Sequence, residues 1–372
     1  METLVVGTYS TVYPWVHGTG EGVYTFQWNS ETGELSQRQL LDVQGDNPTY
    51  LATHPASQRL FLAYELPEFR GEKQGALGIA PLDDKGQPTE VTDQIGTGGE
   101  GACHVSVDQK TGNYVFVANY VGGNIACVRC EGGKFVKTLW TVQHQGDPQL
   151  QHPRQDAPHC HCVYLIRDDK LLLVADLGTN QCYVYKVYDP QTGITERTPA
   201  LLTTFTLSPE AGPRHVVHHQ SLPVIYVLNE LKNTVAVYRY VWNEDNDLFT
   251  VDSLQEISTL PAEGFDGETT SAALKLSANG RFLYTSNRGH DSLAIFSVCQ
   301  DTGALAAAGH QSVGKAPRDF LVHPSLPWVF VANQDTNNIF VFRHNEETGA
   351  LERHQEVDCP SPVCLVFSQH PQ

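Results

Sequence analysis

Residues 156–165, DAPHCHCVYL, gather His159, Cys160, His161 and Cys162 within four positions. Imidazoles and thiolates are the usual ligands of structural zinc, which needs four of them at tetrahedral corners. A strand here predicts something else. Side chains alternate along a strand, so His159 and His161 share one face and the two cysteines the other. Four consecutive strand residues cannot close a tetrahedron, which frees the histidines for acid–base chemistry and leaves Cys160 and Cys162 as small hydrophobes packed between sheets. Zinc held by His159, His161 and a distant carboxylate is the alternative. Cys127 and Cys130 form a CxxC in an outer strand and its turn, with no second CxxC to complete a metal site.

The elements that must carry these side chains are short apolar runs broken by Gly, Asn, Asp and Pro, with no long helical period. One pattern recurs: an apolar strand, a polar turn, then a strand ending in an anchor residue. The second strands read FLAYE, FVANY, LVADL, YVLNE, YTSNR and FVANQ, with anchors Tyr64, Asn119, Asp176, Asn229, Asn287 and Asn333. The N-terminal VVGTY supplies a seventh, with Gly7 in that place. Anchors lie 46 to 58 residues apart, a period that suits four-stranded blades. Runs such as NIACV, QCYVYKV and TVAVYRY supply third strands, and ETGEL, QTGIT, DTGAL and ETGAL are turns into the fourth. The final CPSPVCLVF is a first strand lacking a second, and the opening TLVVGTY is a second lacking a first. The reading is all-β: a seven-bladed β-propeller of four-stranded antiparallel blades, one domain over 1–372, closed by both termini sharing one blade.

Counting back fifteen residues from each anchor gives Thr49, His104, His161, Arg214, Ala272 and Arg318, with Val363 in the last blade. The residues after the anchors are Thr8, Glu65, Tyr120, Leu177, Glu230, Arg288 and Gln334. In an antiparallel pair, the start of one strand and the end of the next share an edge. Both sets are therefore expected to ring one mouth of the axial channel, where His, Arg and Glu would converge on a ligand.

Composition narrows the ligand. A formal charge of −18 excludes nucleic acid, which needs basic patches. No apolar run approaches the roughly 20 residues of a bilayer span, so no membrane is expected. The N-terminus reads as no secretory signal, and nine cysteines without framework spacing point to the cytoplasm. An anionic substrate would need arginine concentrated locally against the acidic background. Oligomeric state is not legible.

GPRHVVHH, YVLNELKNTVAVY, SANGRFLYTSNRGHDSLAIF, APRDF and VADLGTN together resemble the seven-bladed propeller lactonases, which include 6-phosphogluconolactonases and carboxymuconate-cyclising enzymes. VQHQGDPQLQHPRQDAPHCHCV resembles the family's long loop leading to a His-x-His strand. The resemblance implies a site at one channel end with no metal and no organic cofactor. It places the acid–base histidine at His161, arginines at Arg214 and Arg288, and a glutamate at Glu230. His104, Arg318, His159, His215, Asn229 and Asn287 are the substrate-binding candidates. A lactonase needs a base for water and fixed positive charge for the oxyanion. Either Glu230 or His161 could be the base, with Arg214 and Arg288 clamping an anion. The expected substrate is a small anionic lactone, foremost 6-phosphogluconolactone. The alternatives are a carboxymuconate cyclase and a non-catalytic binding propeller.

Overall fold

The computed structural model describes all residues except 14–15, 147–149, 151, 192 and 371–372. Part of the long loop and Thr192 of the QTGIT turn therefore lie outside the described residues. Seven four-stranded antiparallel sheets follow one another along the chain, each ordered first to fourth strand from the centre outward. Blade 1 joins Pro362–Phe367 to Glu2–Thr8, Val23–Trp28 and Leu35–Leu41, so the two termini pair within one sheet. Blades 2 to 7 begin at Pro48–His54, Ala102–Val107, Cys160–Ile166, Pro213–His218, Thr270–Leu276 and Pro317–Val322. Two short ribbons, Val12–Tyr13 with Val16–His17 and Tyr188–Asp189 with Gly193–Ile194, decorate the ring.

Burial explains the strand composition. Second strands such as Val224–Asn229 and Trp328–Asn333 are buried at every position, whereas fourth strands such as Leu305–Ser312 are mostly exposed. Inner strands face a neighbouring blade on both sides and need β-branched and aromatic residues throughout. The core is divided among the gaps between blades: Phe116, Cys127 and Trp140 pack on Val163, Leu172 and Tyr185, and the next gap repeats the pattern with other residues. Each fully buried Val, Leu or Phe contributes roughly 1.5–3 kcal/mol.

The anchors work as turn ties. Asn119 Nδ2 donates to Asn124 Oδ1 at 2.7 Å, Asn333 Nδ2 to Asn338 Oδ1 at 3.0 Å, and Asn229 Nδ2 to Thr234 Oγ1 at 2.9 Å. Each crosses the turn from second to third strand and fixes the residue just after the anchor. That residue's N–H reaches back to the carbonyl preceding the first strand, as in Glu230 to Gly212, Glu65 to Asn47, Gln334 to Ala316 and Tyr9 to Ser361.

The last bond corrects the register of blade 1. Thr8 pairs with Pro362 as Asn229 pairs with Pro213, so Thr8 is the anchor and Tyr9, not Thr8, stands at the mouth. A second correction concerns blade 3. Ala102 pairs with Asn119 across a hairpin one residue longer than in blade 5. Cys103 therefore takes the place expected for His104, which falls one position deeper, level with Tyr50, Cys162, His215 and Asp319.

Candidate active site

The mouth side chains are aimed by a repeated irregularity. A register shift follows the first paired residue of the inner strand at Pro48/Tyr50, Ala102/His104, Cys160/Cys162, Pro213/His215 and Pro317/Asp319. The extra residue of a β-bulge leaves the ladder and is re-aimed. Here the extra residues are Thr49, Cys103, His161, Arg214 and Arg318. The bulge also breaks the alternation expected of HCHC. Cys160 packs between blades 3 and 4 and Cys162 between blades 4 and 5, on opposite faces of their sheet. His159 precedes the strand and stacks on Tyr120 with ring centroids 4.5 Å apart, while His161 meets the same ring edge-on at 5.3 Å.

Glu230 is the hub. Its Oε1 lies 2.5 Å from Arg154 Nη1 and 2.9 Å from Arg288 Nη2, and its Oε2 lies 2.8 Å from Arg214 Nε and 3.9 Å from His161 Nε2. Its backbone is set by Gly212, whose φ of 63° opens the Gly-Pro-Arg entry and where a Cβ would stand 2.5 Å from Leu231 Cγ. Burial alone would push the Glu230 carboxyl up, but Arg288, Arg154 and Arg214 outweigh it and hold it well below the ordinary carboxylate range. Burial, reinforced by Arg214, holds His161 well below the usual histidine value although Glu230 pulls the other way. At neutral pH the pair is thus a carboxylate facing an uncharged imidazole. Burial pulls Arg214 down to about 10, still charged at neutral pH.

Across the mouth, Glu65 Oε2 accepts from Tyr9 Oη at 2.8 Å and Thr49 Oγ1 at 3.0 Å, and Arg318 Nη2 donates to Tyr9 Oη at 2.8 Å. Between the two groups lies a cavity of about 10 Å³ lined by Thr49, Glu65, Cys103, His161, Arg214 and Arg318. A cavity needs roughly 10–15 Å³ of such room to admit one water, so this one is at that limit. Four guanidiniums against two carboxylates make the mouth locally positive in a strongly acidic chain. Fixed positive charge beside an uncharged base is the equipment for water attack on an ester carbonyl.

The remaining candidates sit behind this surface. Asn229 and Asn287 are fully buried. Asn287 Nδ2 donates to Thr259 O at 2.9 Å. Both substrate-binding candidates lie behind the mouth, where they hold the turns that present Glu230 and Arg288. Arg214 Nη1 donates to His215 Nε2 at 3.0 Å and to Ala272 O. His104 stacks on Tyr50 with centroids 4.1 Å apart, below the mouth. Arg154 went unrecognised in the sequence. It lies in the aperiodic loop, where only its place in HPRQ before the His-x-His strand marks it, and its Nη2 donates to Tyr120 Oη at 2.8 Å.

Zinc on His159 and His161 finds no third ligand among the described residues, where the candidate clusters are His144, Cys160, Asp176 and Glu2, His323, His370. In the first, His144 Nδ1 lies 2.6 Å from Asp176 Oδ2 in a buried pair. In the second, His323 Nδ1 accepts from the Ser325 and Leu326 N–H groups, which leaves the proton on Nε2, the atom facing Glu2. All nine cysteines are free, and no described helix is long and apolar enough to cross a membrane.

Residues 3–367 match the family model described as lactonase, 7-bladed beta-propeller. The chain belongs to the seven-bladed β-propeller lactonases. It is 32% identical over 366 residues, 97% of each chain, to the 6-phosphogluconolactonase of Bacillus subtilis. It is 29% identical over 360 residues to the 6-phosphogluconolactonase of Formosa agariphila, covering 94% of each. Among solved structures, the periplasmic gluconolactonase of Pseudomonas aeruginosa superposes with a TM-score of 0.85 at 29% identity, covering 98% of both chains. Membership makes the chain a lactonase, similar over nearly its whole length to 6-phosphogluconolactonases.

Proposed function

We propose that the protein hydrolyses a C6-phosphorylated aldonolactone, 6-phosphogluconolactone foremost, at the arginine-rich mouth. The observation that carries this reading is the meeting of Glu230, Arg154, Arg214, Arg288 and the uncharged His161 in one place. The relatives' names support the substrate class.

The base is assigned to His161. A carboxylate matched by three guanidiniums is a weak proton acceptor. A neutral imidazole takes the proton, and the imidazolium that forms is stabilised by Glu230. One water can donate a hydrogen to each of His161 Nε2 and Glu230 Oε2 across their 3.9 Å gap. Attack on the lactone carbonyl then places negative charge on the former carbonyl oxygen, which Arg214 faces with guanidinium donors. Collapse expels the ring oxygen, which leaves as a hydroxyl after taking a proton from the His161 imidazolium. Arg154 and Arg288, the more exposed of the three with 42% and 18% of their side chains accessible, are placed to hold the phosphate.

The experiment is acid release from 6-phosphogluconolactone, with a carboxymuconate as the competing substrate. Catalysed acid release at least about 10-fold above the spontaneous rate is expected. Turnover of the carboxymuconate with no acid release from the lactone would overturn this reading in favour of cyclisation.

A further inference from the structure

Glu65 and Glu230 hold the same position in their blades, the first residue after the second strand, three blades apart in a ring of seven. Their surroundings differ. Both Glu230 oxygens are matched by guanidiniums. Glu65 has only Oε2 engaged, by the Tyr9 and Thr49 hydroxyls, and Oε1 accepts no hydrogen bond from the described residues. Glu65 lines the mouth cavity opposite His161 and Arg214, and Arg318 is tied to the same assembly through Tyr9. Burial works against the Arg318 charge, but Tyr9, Glu65 and Glu230 outweigh it.

A carboxylate with one free oxygen, linked through the Tyr9 hydroxyl to a guanidinium on the same cavity wall, is an acceptor near a donor, the complement of a ring hydroxyl that donates once and accepts once. It is also the wrong partner for a second or third substrate carboxylate, because like charges brought together without solvent cost several kcal/mol. Resting on the lactone reading above, we infer that Glu65 is a specificity residue. Its free Oε1 accepts from a hydroxyl of the sugar ring, with Arg318 donating to the same edge. The Glu65 half of the mouth thereby selects a polyhydroxylated lactone and rejects a polycarboxylate.

The test is steady-state kinetics of the full chain and Glu65→Gln on 6-phosphogluconolactone, with propane-1,2,3-tricarboxylate as inhibitor. The amide keeps an oxygen for Tyr9 and Thr49 while removing the charge. KM for the sugar lactone is expected to rise about 10-fold with kcat within about threefold, as for a site built to hydrogen-bond a hydroxyl. The inhibition constant of the tricarboxylate is expected to fall about 5-fold or more as the repulsion is lifted. The opposite signs separate recognition from damage, since a distorted mouth weakens both ligands. Parallel weakening, or no change in either constant, would overturn the assignment while leaving the lactonase reading intact. Absence of lactone hydrolysis by the wild type would overturn the proposed function and this inference with it.

Discussion

The two ends of the axial channel are built on opposite plans. The mouth at His161 encloses only about 10 Å³, yet gathers four arginines and two glutamates. The far end opens into a chamber of about 400 Å³ lined by residues such as Tyr164, His218, Lys275 and His323. Tyr50, His104 and His215 stand between the two, their rings 4.1–6.1 Å apart. In the far chamber three of the polar groups have local partners. His218 Nε2 is 2.8 Å from Tyr240 Oη, His323 is committed to Glu2, and Lys275 Nζ faces Asp319 at 3.8 Å. Volume and chemistry are separated along one axis. A ring of radial blades leaves a hole wherever side chains do not fill it, whereas burying several charges together is costly and is concentrated where something is held or reacted.

The largest effects are expected from breaking the near end. His161→Ala should lower kcat by roughly 10²–10⁴ with the protein still folded, the range for loss of a general base. Initial-rate titration of released acid checks this. Glu230→Gln should lower kcat/KM by about 10² or more. It should also destabilise the fold by on the order of 3–5 kcal/mol, because buried Arg214 loses its counter-charge. Urea unfolding measures the loss, and added sulfate should restore part of it by replacing the missing anion.

A smaller effect separates phosphate from lactone recognition. Arg154→Ala should raise KM about 10-fold for 6-phosphogluconolactone and leave unphosphorylated gluconolactone within about twofold. The pH profile probes the same surroundings. Burial and Arg214 hold the His161 pKa well below its usual value. With His161 proposed as the base in its uncharged form, kcat/KM should stay flat from pH 8 through the ordinary histidine range near 6.5 and fall only in more acid solution. Removing a charge that depresses His161, as in Arg318→Gln, should move that acid limb upward. The smallest effect belongs to the far end. Lys275→Met should leave kcat/KM within about twofold, and a loss of 10-fold or more would mean that the chamber takes part in turnover.

Much of the near end was legible in the sequence because a propeller repeats its geometry. The anchors and the residues beside them marked His161, Arg214, Glu230, Arg288, Arg318 and Glu65 for one mouth, and the unpaired terminal strands announced the shared blade. Reading failed where a single inserted residue shifts a register. One extra residue in the hairpin of blade 3 exchanged His104 for Cys103, and an anchor placed at Gly7 instead of Thr8 hid Tyr9. The bulge at Cys160/Cys162 turned two cysteines expected on one face to opposite faces. Arg154 lay beyond pattern reading, because its loop has no period and only the folded chain brings it to Glu230. The far chamber was equally hidden, since a cavity is a property of what side chains leave unfilled.

The central claim is that chemistry belongs to the narrow, charged end and not to the roomy one. The most direct test is a crystal structure of the protein soaked with 6-phosphogluconate, the product of the proposed reaction. The phosphate should lie on Arg154 and Arg288, with the carboxylate between Arg214 and His161 and a sugar hydroxyl on Glu65. Density for the product in the far chamber alone, with the Glu230 cluster undisturbed, would contradict the account.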